Sequence, residues 1–137
     1  MPILHHPDPG TILVCDFTGF KAPEMVKRRP VIVISPKITA RPNLCTIVAV
    51  SSVVPQKVMP FHMELTLPPP FDQGPNWLKG DMVYSMAFHR LDLVRMGKGI
   101  GGKRAYMLQA LSAADFKAVR CCVLHGLGLS TLTKHVP

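Results

Sequence analysis

Residues 27–36 read KRRPVIVISP: three cations, a proline, four β-branched aliphatic residues in an unbroken run, and a Ser-Pro stop. Val31, Ile32, Val33 and Ile34 show no polar alternation, so the run suits a central strand covered on both faces. Proline is tolerated at the start of a strand and not in its middle, which places the beginning of the element at Arg29–Pro30. The residue before a proline is pushed into extended geometry. Arg29 is thereby held stiffly at the mouth of a buried strand, an unusual position for a charge wanted only for solubility.

Outward from this strand the same pattern repeats. TILVCDF (11–17) follows a Pro-Gly turn, and LCTIVAVS (44–51) is again almost continuously apolar. PFHMELTL (60–67) alternates, with Phe61, Met63, Leu65 and Leu67 on one face and His62, Glu64 and Thr66 on the other. MVYSMAF (82–88) is a further strand. The connections differ in kind: TGFKAPEMVKRR (18–29) is long, PKITARPN (36–43) is a turn, and PPPFDQGPNWLKGD (68–81) is too rich in proline and glycine for regular structure. Trp77 in that last loop either contacts a ligand or anchors the loop. Glycines 97, 99, 101 and 102 follow no strand with nucleotide-loop spacing and read as a flexible turn.

One helix is expected over 112–126. Ser112 with Asp115 three residues on resembles a capping box, and Phe116, Val119, Val123 and Leu127 recur at helical spacing before Gly126 or Gly128 ends it. Antiparallel strands followed by a single helix predict a mainly β domain, a small SH3-like antiparallel barrel with a C-terminal helix packed against it. With 137 residues the chain forms one domain, residues 10–130, between a flexible N-terminal tail (1–9) and a C-terminal tail (131–137).

Sixteen Lys and Arg against eight Asp and Glu give a net charge of +8. The excess is clustered: residues 21–41 hold six basic residues and one acid, and residues 90–104 hold five and one. Two basic patches on a small domain point to a polyanion, most simply nucleic acid. Cys15, Cys45, Cys121 and Cys122 have no metal-type spacing and read as free thiols in a reducing cytoplasm. The N-terminal decapeptide lacks the pattern of a secretion signal, and no apolar run is long enough to span a bilayer. His5, His6 and Asp8 look like metal ligands, but neighbouring side chains in an extended segment point apart, so no metal or other cofactor is expected.

Taken alone, Arg29 has two readings: a fork presented in one fixed pose to a phosphate, or a strand cap paired with Glu24 or Asp16. The order of motifs decides between them. PGTILVCDF, Glu24, RRPVIVISP, IVAVSS, PFHMEL and GDMVYSMAFHRL, in that order from Pro9 to about Leu129, resemble the MazF/PemK family of plasmid-maintenance toxins.

That resemblance implies an SH3-like barrel acting as a homodimer. It implies cleavage of single-stranded RNA (mRNA) without a metal, leaving a 2′,3′-cyclic phosphate and a 5′-hydroxyl, and inhibition by a cognate antitoxin with an acidic tail. The family's catalytic arginine falls on Arg29, its catalytic threonine on Ser51 with Ser52 beside it, and the acid of its first long loop on Glu24. Its strand-ending Asp-Phe falls on Asp16 and Phe17; Phe17 either stacks on a base or belongs to the core. Lys27, Arg28, His62 and Arg90 are the further candidates for RNA contact, on charge and position. The proton acceptor stays open between Glu24, His62 and His89. Serine at 51 departs from the family's threonine: it keeps the hydroxyl and loses the methyl that fixes the rotamer. A gyrase-binding barrel toxin, or a nucleic-acid-binding module without catalysis, is the alternative; neither has a use for an Arg29–Ser51 pair.

Overall fold

Four consecutive β-branched residues after Pro30 nucleate the centre of the sheet. In the computed structural model, which describes residues 2–98 and 104–137, the strand β2 spans Arg29–Val33 and its Val31, Ile32 and Val33 are fully buried. It lies between β1 (Thr11–Cys15) and β3 (Leu44–Ser51), antiparallel to both. β3 pairs in turn with β5 (Trp77–Ala87), which carries the short edge strand β4 (His62–Glu64). On the other side β1 pairs with β6 (Leu91–Asp92). The sheet therefore runs β4-β5-β3-β2-β1-β6, entirely antiparallel, and curls into a half-barrel. β7 (Val94–Lys98) and β8 (Arg104–Met107) pair antiparallel in a separate two-stranded sheet, and β9 (Gln109–Ala110) returns to β1.

Both faces of the sheet are covered, as the unalternating strands require. Ile12, Ile32, Val48 and Val50 face the helix α1 (Ala113–Gly126), whose Val119, Cys122 and Val123 complete that core. Leu13, Cys15, Val31, Val33 and Ile47 face the other way, onto Phe17, Met86 and Leu91. The expected mainly β architecture with one C-terminal helix is what the chain adopts. Ser112 caps the helix as its sequence predicts, its Oγ accepting the Asp115 N–H at 3.1 Å. The apolar face stops one turn early, however: Leu127, expected in the core, is 59% exposed, because the helix ends at Gly126 and Gly128, at φ +76°, reverses the chain beyond it.

Two further readings are corrected. Strand β5 begins at Trp77, so the irregular segment expected to reach Asp81 gives up its last five residues to the sheet. Between Val48 and Ala49 the β3–β5 register jumps, pairing Val48 with Val83 but Ala49 with Lys79. This bulge sits where Gly80 meets the helix. A Cβ on Gly80 would come within 2.6 Å of the Cys122 carbonyl oxygen, and one on Gly126 within 2.7 Å of the Gly80 oxygen. These two glycines let strand and helix backbones touch. Of the expected glycine turn, Gly97 belongs to β7, and glycines 99, 101 and 102 lie outside the described residues.

The ends are placed as follows. In the segment expected as an N-terminal tail, Ile3 is buried and its N–H donates to the Leu91 carbonyl at 2.9 Å. In the C-terminal one, Ser130–His135 forms a short 3-10 helix, and Arg120 Nη2 donates to the Pro137 carbonyl at 2.7 Å. Among the described residues no helix is long and apolar enough to cross a membrane.

Candidate active site

β2 and β3 pair Val31 with Ala49, Ile32 with Val48 and Val33 with Ile47. Continued by two residues, that register sets Arg29 across from Ser51, and β1 sets Cys15 against Arg29 on the other side. Directly opposed residues of antiparallel strands share a face. Arg29 and Ser51 therefore lie in one row with Trp77, which opposes Ser51 across β5. The row ends on the exposed Glu64 at one side and on the buried Leu91 at the other.

The arginine's local geometry is specific. Nη1 of Arg29 donates to Ser52 Oγ at 3.3 Å, and its Nε is buried with no hydrogen-bond partner among the described residues. A buried guanidinium N–H without an acceptor is costly, and each such group calls for an explanation. An anionic ligand seated in the row would satisfy it. Ser51 is 7% exposed and its Oγ accepts the Val53 N–H at 3.1 Å, a tight turn that closes the strand and brings Ser52 outward. The hydroxyl of Ser51 keeps its own hydrogen for a further acceptor.

The loop that follows β1 is tied back to the strand beside Arg29. Asp16 Oδ1 accepts from the Thr18 N–H at 2.9 Å and from its hydroxyl at 2.5 Å, and these two bonds, the hydroxyl's first, hold the Asp16 carboxyl below the usual carboxylate range. Arg90 Nη1 donates to the carbonyls of Asp16 at 3.0 Å and Thr18 at 2.9 Å, and the guanidinium lies 5.3 Å from the centre of the Phe20 ring. Sequence reasoning missed Thr18 and Phe20. The Asp-x-Thr spacing was the available signal for the first; nothing local marks the second.

The other candidates are placed as follows. Glu24 is exposed, and its Oε1 accepts from the Lys21 N–H at 3.2 Å within the same loop. Lys27 is exposed. Arg28, just ahead of β2, pairs through Nη2 with Asp92 Oδ2 at 2.7 Å while its side chain stays 54% exposed. Arg90 ties the loop together through Nη1. Phe17 is fully buried, packed edge-on against Phe20 and Tyr84 with ring centres 5.6 and 5.2 Å away, and offers no face to a base. His62 opposes Lys79 on β4, its Nδ1 accepting the Met59 N–H at 3.0 Å. Desolvation, and then the Lys79 charge, pull its pKa below the ordinary histidine value. The structure thus brings Arg29, Ser51 and Ser52 together and keeps His62 two strands away from β2's neighbour.

A family model, described as PemK-like, MazF-like toxin of type II toxin–antitoxin system, matches residues 8–124. The chain belongs to this family. Solved structures agree on the fold of this PemK/MazF-family chain. MazF from Deinococcus radiodurans superposes with a TM-score of 0.61 at 24% identity, over 90% of this chain and 98% of that one. The MazE–MazF complex of the same organism gives 0.57 at 24%, over 92% and 99%. An endoribonuclease in complex with its cognate antitoxin, from a mycobacterial species, gives 0.58 at 17%, over 90% and 96%. No curated protein sequence matches the chain.

Proposed function

We propose that this PemK/MazF-family chain is the endoribonuclease toxin of a toxin–antitoxin pair, cutting single-stranded RNA at the row formed by Arg29, Ser51 and Ser52. The observation that carries this reading is the Arg29 guanidinium: held at the start of β2, bonded to Ser52 at 3.3 Å, and left with a buried Nε–H that lacks an acceptor among the described residues. The RNA supplies its own nucleophile. Its 2′-hydroxyl gives up its proton and attacks the adjacent phosphorus. The bond from phosphorus to the 5′-oxygen breaks, that oxygen takes up a proton from solvent and leaves as a 5′-hydroxyl, and a 2′,3′-cyclic phosphate remains. The protein's task is to stabilise charge on the phosphorane, which preorganised donors aimed at its oxygens perform. Arg29 offers Nε–H and Nη–H as a planar fork, and Ser51 and Ser52 offer hydroxyls.

Glu24 is the proposed acceptor of the 2′-hydroxyl proton. It is exposed, and its bond from the Lys21 N–H at 3.2 Å exchanges readily for one from substrate. This chemistry asks for no metal. A cognate antitoxin is the natural regulator, because structures similar to this one include a MazE–MazF complex and an endoribonuclease with its antitoxin. Work as a homodimer in the cytoplasm completes the reading, and four free cysteines fit a reducing compartment.

End-group analysis tests the chemistry. A single-stranded RNA cut by the purified chain in EDTA should yield fragments carrying a 2′,3′-cyclic phosphate and a new 5′-hydroxyl. Fragments with 3′-hydroxyl and 5′-phosphate ends would rule the mechanism out.

A further inference from the structure

At the end of β2 and β3 opposite to Arg29 and Ser51 lies a second cluster of polar groups. Five residue steps lead from Thr46 to Ser51, about 17 Å along β3. There His6 Nδ1 donates to the Pro7 carbonyl at 2.7 Å, which leaves Nε2 as the acceptor of the Ser35 hydroxyl at 3.0 Å. Ser35 Oγ in turn accepts the Thr46 N–H at 3.0 Å, and Thr46 Oγ1 lies 3.2 Å from Ser85 Oγ. His6, Ser35, Thr46 and Ser85 line one cavity of about 220 Å³ together with Arg41. His6 and Arg41 also line the adjoining cavity of about 340 Å³, where Lys37, His5 and Phe88 join them.

The charge of this place is one-sided. Among the described residues no aspartate or glutamate lines either cavity, while Arg41, Lys37 and two imidazoles do. Among the described residues neither Arg41 nor Lys37 forms an ion pair. A guanidinium, an ammonium and the hydroxyl hydrogen that the Thr46–Ser85 pair leaves free line a concave site that suits a phosphate group, and the Phe88 ring in the adjoining cavity is a wall for a flat base.

We propose that this pocket is a nucleotide-phosphate site, separate from the Arg29 row and independent of whether that row cuts RNA. Arg41 supplies the fork and Ser85 a hydroxyl donor, and Lys37 adds its charge from the adjoining cavity. His6, held by Pro7 and Ser35, forms the wall of the site. The phosphate is either that of a free nucleotide or one carried by an RNA strand.

Heteronuclear NMR reads the site directly. Titration with 5′-AMP should shift the His6 ring and the Ser35 and Ser85 amides saturably, inorganic phosphate should shift the same set more weakly, and adenosine should leave them in place. Arg41→Ala, at an exposed position, should weaken 5′-AMP binding about tenfold or more, while Arg29→Ala leaves it unchanged. Competition by a 5′-phosphorylated oligonucleotide but not its 5′-hydroxyl form assigns the site to terminal phosphates, and equal competition by both assigns it to the strand's internal diesters; each keeps the pocket as a phosphate site. Unmoved resonances with 5′-AMP, equal shifts with adenosine, or full binding by Arg41→Ala would overturn the proposal.

Discussion

Arg29 donates from Nη1 to Ser52 Oγ at 3.3 Å, whereas its neighbour in the β2–β3 register is Ser51. The two serines therefore have separable roles. Ser52 is exposed and steers the guanidinium; Ser51 is buried and closes the strand by accepting the Val53 N–H. Ser52→Ala should leave the melting temperature unchanged and lower the single-turnover cleavage rate by about tenfold, the worth of one hydrogen bond near a charge. Ser51→Ala should cost about 1 kcal/mol of stability as well as activity. Ser51→Thr should restore or exceed the wild-type rate, because the β-branched methyl narrows χ1. Thermal melts and rates on one RNA check all three.

Phe17 decides between a stacking platform and a core residue. It is fully buried between Phe20 and Tyr84. Phe17→Ala should destabilise the fold by about 3–5 kcal/mol, and Phe17→Leu by no more than about 1.5 kcal/mol, with RNA affinity retained. A Phe17→Leu protein that stays folded and loses RNA binding would show that the ring does meet a base.

Gly80 and Gly126 permit a direct backbone contact between β5 and α1. A methyl group at position 80 would sit 2.6 Å from the Cys122 carbonyl oxygen and 2.7 Å from that of Phe61. Neither obstacle is a movable side chain. Gly80→Ala should therefore cost about 2 kcal/mol or more in chemical denaturation, against a small effect for alanine at Gly74, where nothing lies within 4 Å.

His62 bears on pH dependence. Its folded pKa is lowered, by desolvation first and by Lys79 second, so the unfolded chain binds its proton more readily. Stability is then complete above the ordinary histidine pKa and falls as pH drops through it. His62→Gln should flatten that acid limb in denaturation curves taken between pH 7 and the folded-state pKa. It should also leave the pH–rate profile of cleavage unaltered, since the imidazole stands across β5 from the strand that ends in Ser51.

The central strands β1, β2 and β3 were legible because burial on both faces leaves an unmistakable apolar run, as in VIVI and TIVAV, and because Arg-Pro marks where β2 must begin. The strand read over 60–67, by contrast, is only His62–Glu64, and the short strands after Phe88 were not read at all. The helix start was legible for an equally local reason, a serine three residues ahead of an aspartate. Features that depend on distant partners were not. The bulge at Val48–Ala49 and the early start of β5 follow from Gly80 meeting α1, a contact between residues far apart in the chain. The same holds within the site. Arg29 could be singled out from its own proline, but Arg28 and Arg90 carry identical charges and differ only in finding Asp92 and the Asp16 carbonyl nearby. Composition shows how many cations there are; only the fold shows which are already spent.

The reading stands or falls on Arg29. The most direct test is the single-turnover cleavage rate of Arg29→Ala beside wild type, on the same single-stranded RNA, in EDTA. Loss of a preorganised donor to the transition state predicts a rate lower by about 10²–10³-fold with an unchanged melting curve. A folded Arg29→Ala protein that cuts within threefold of wild type, or a wild type that leaves the RNA whole at enzyme excess, would contradict it.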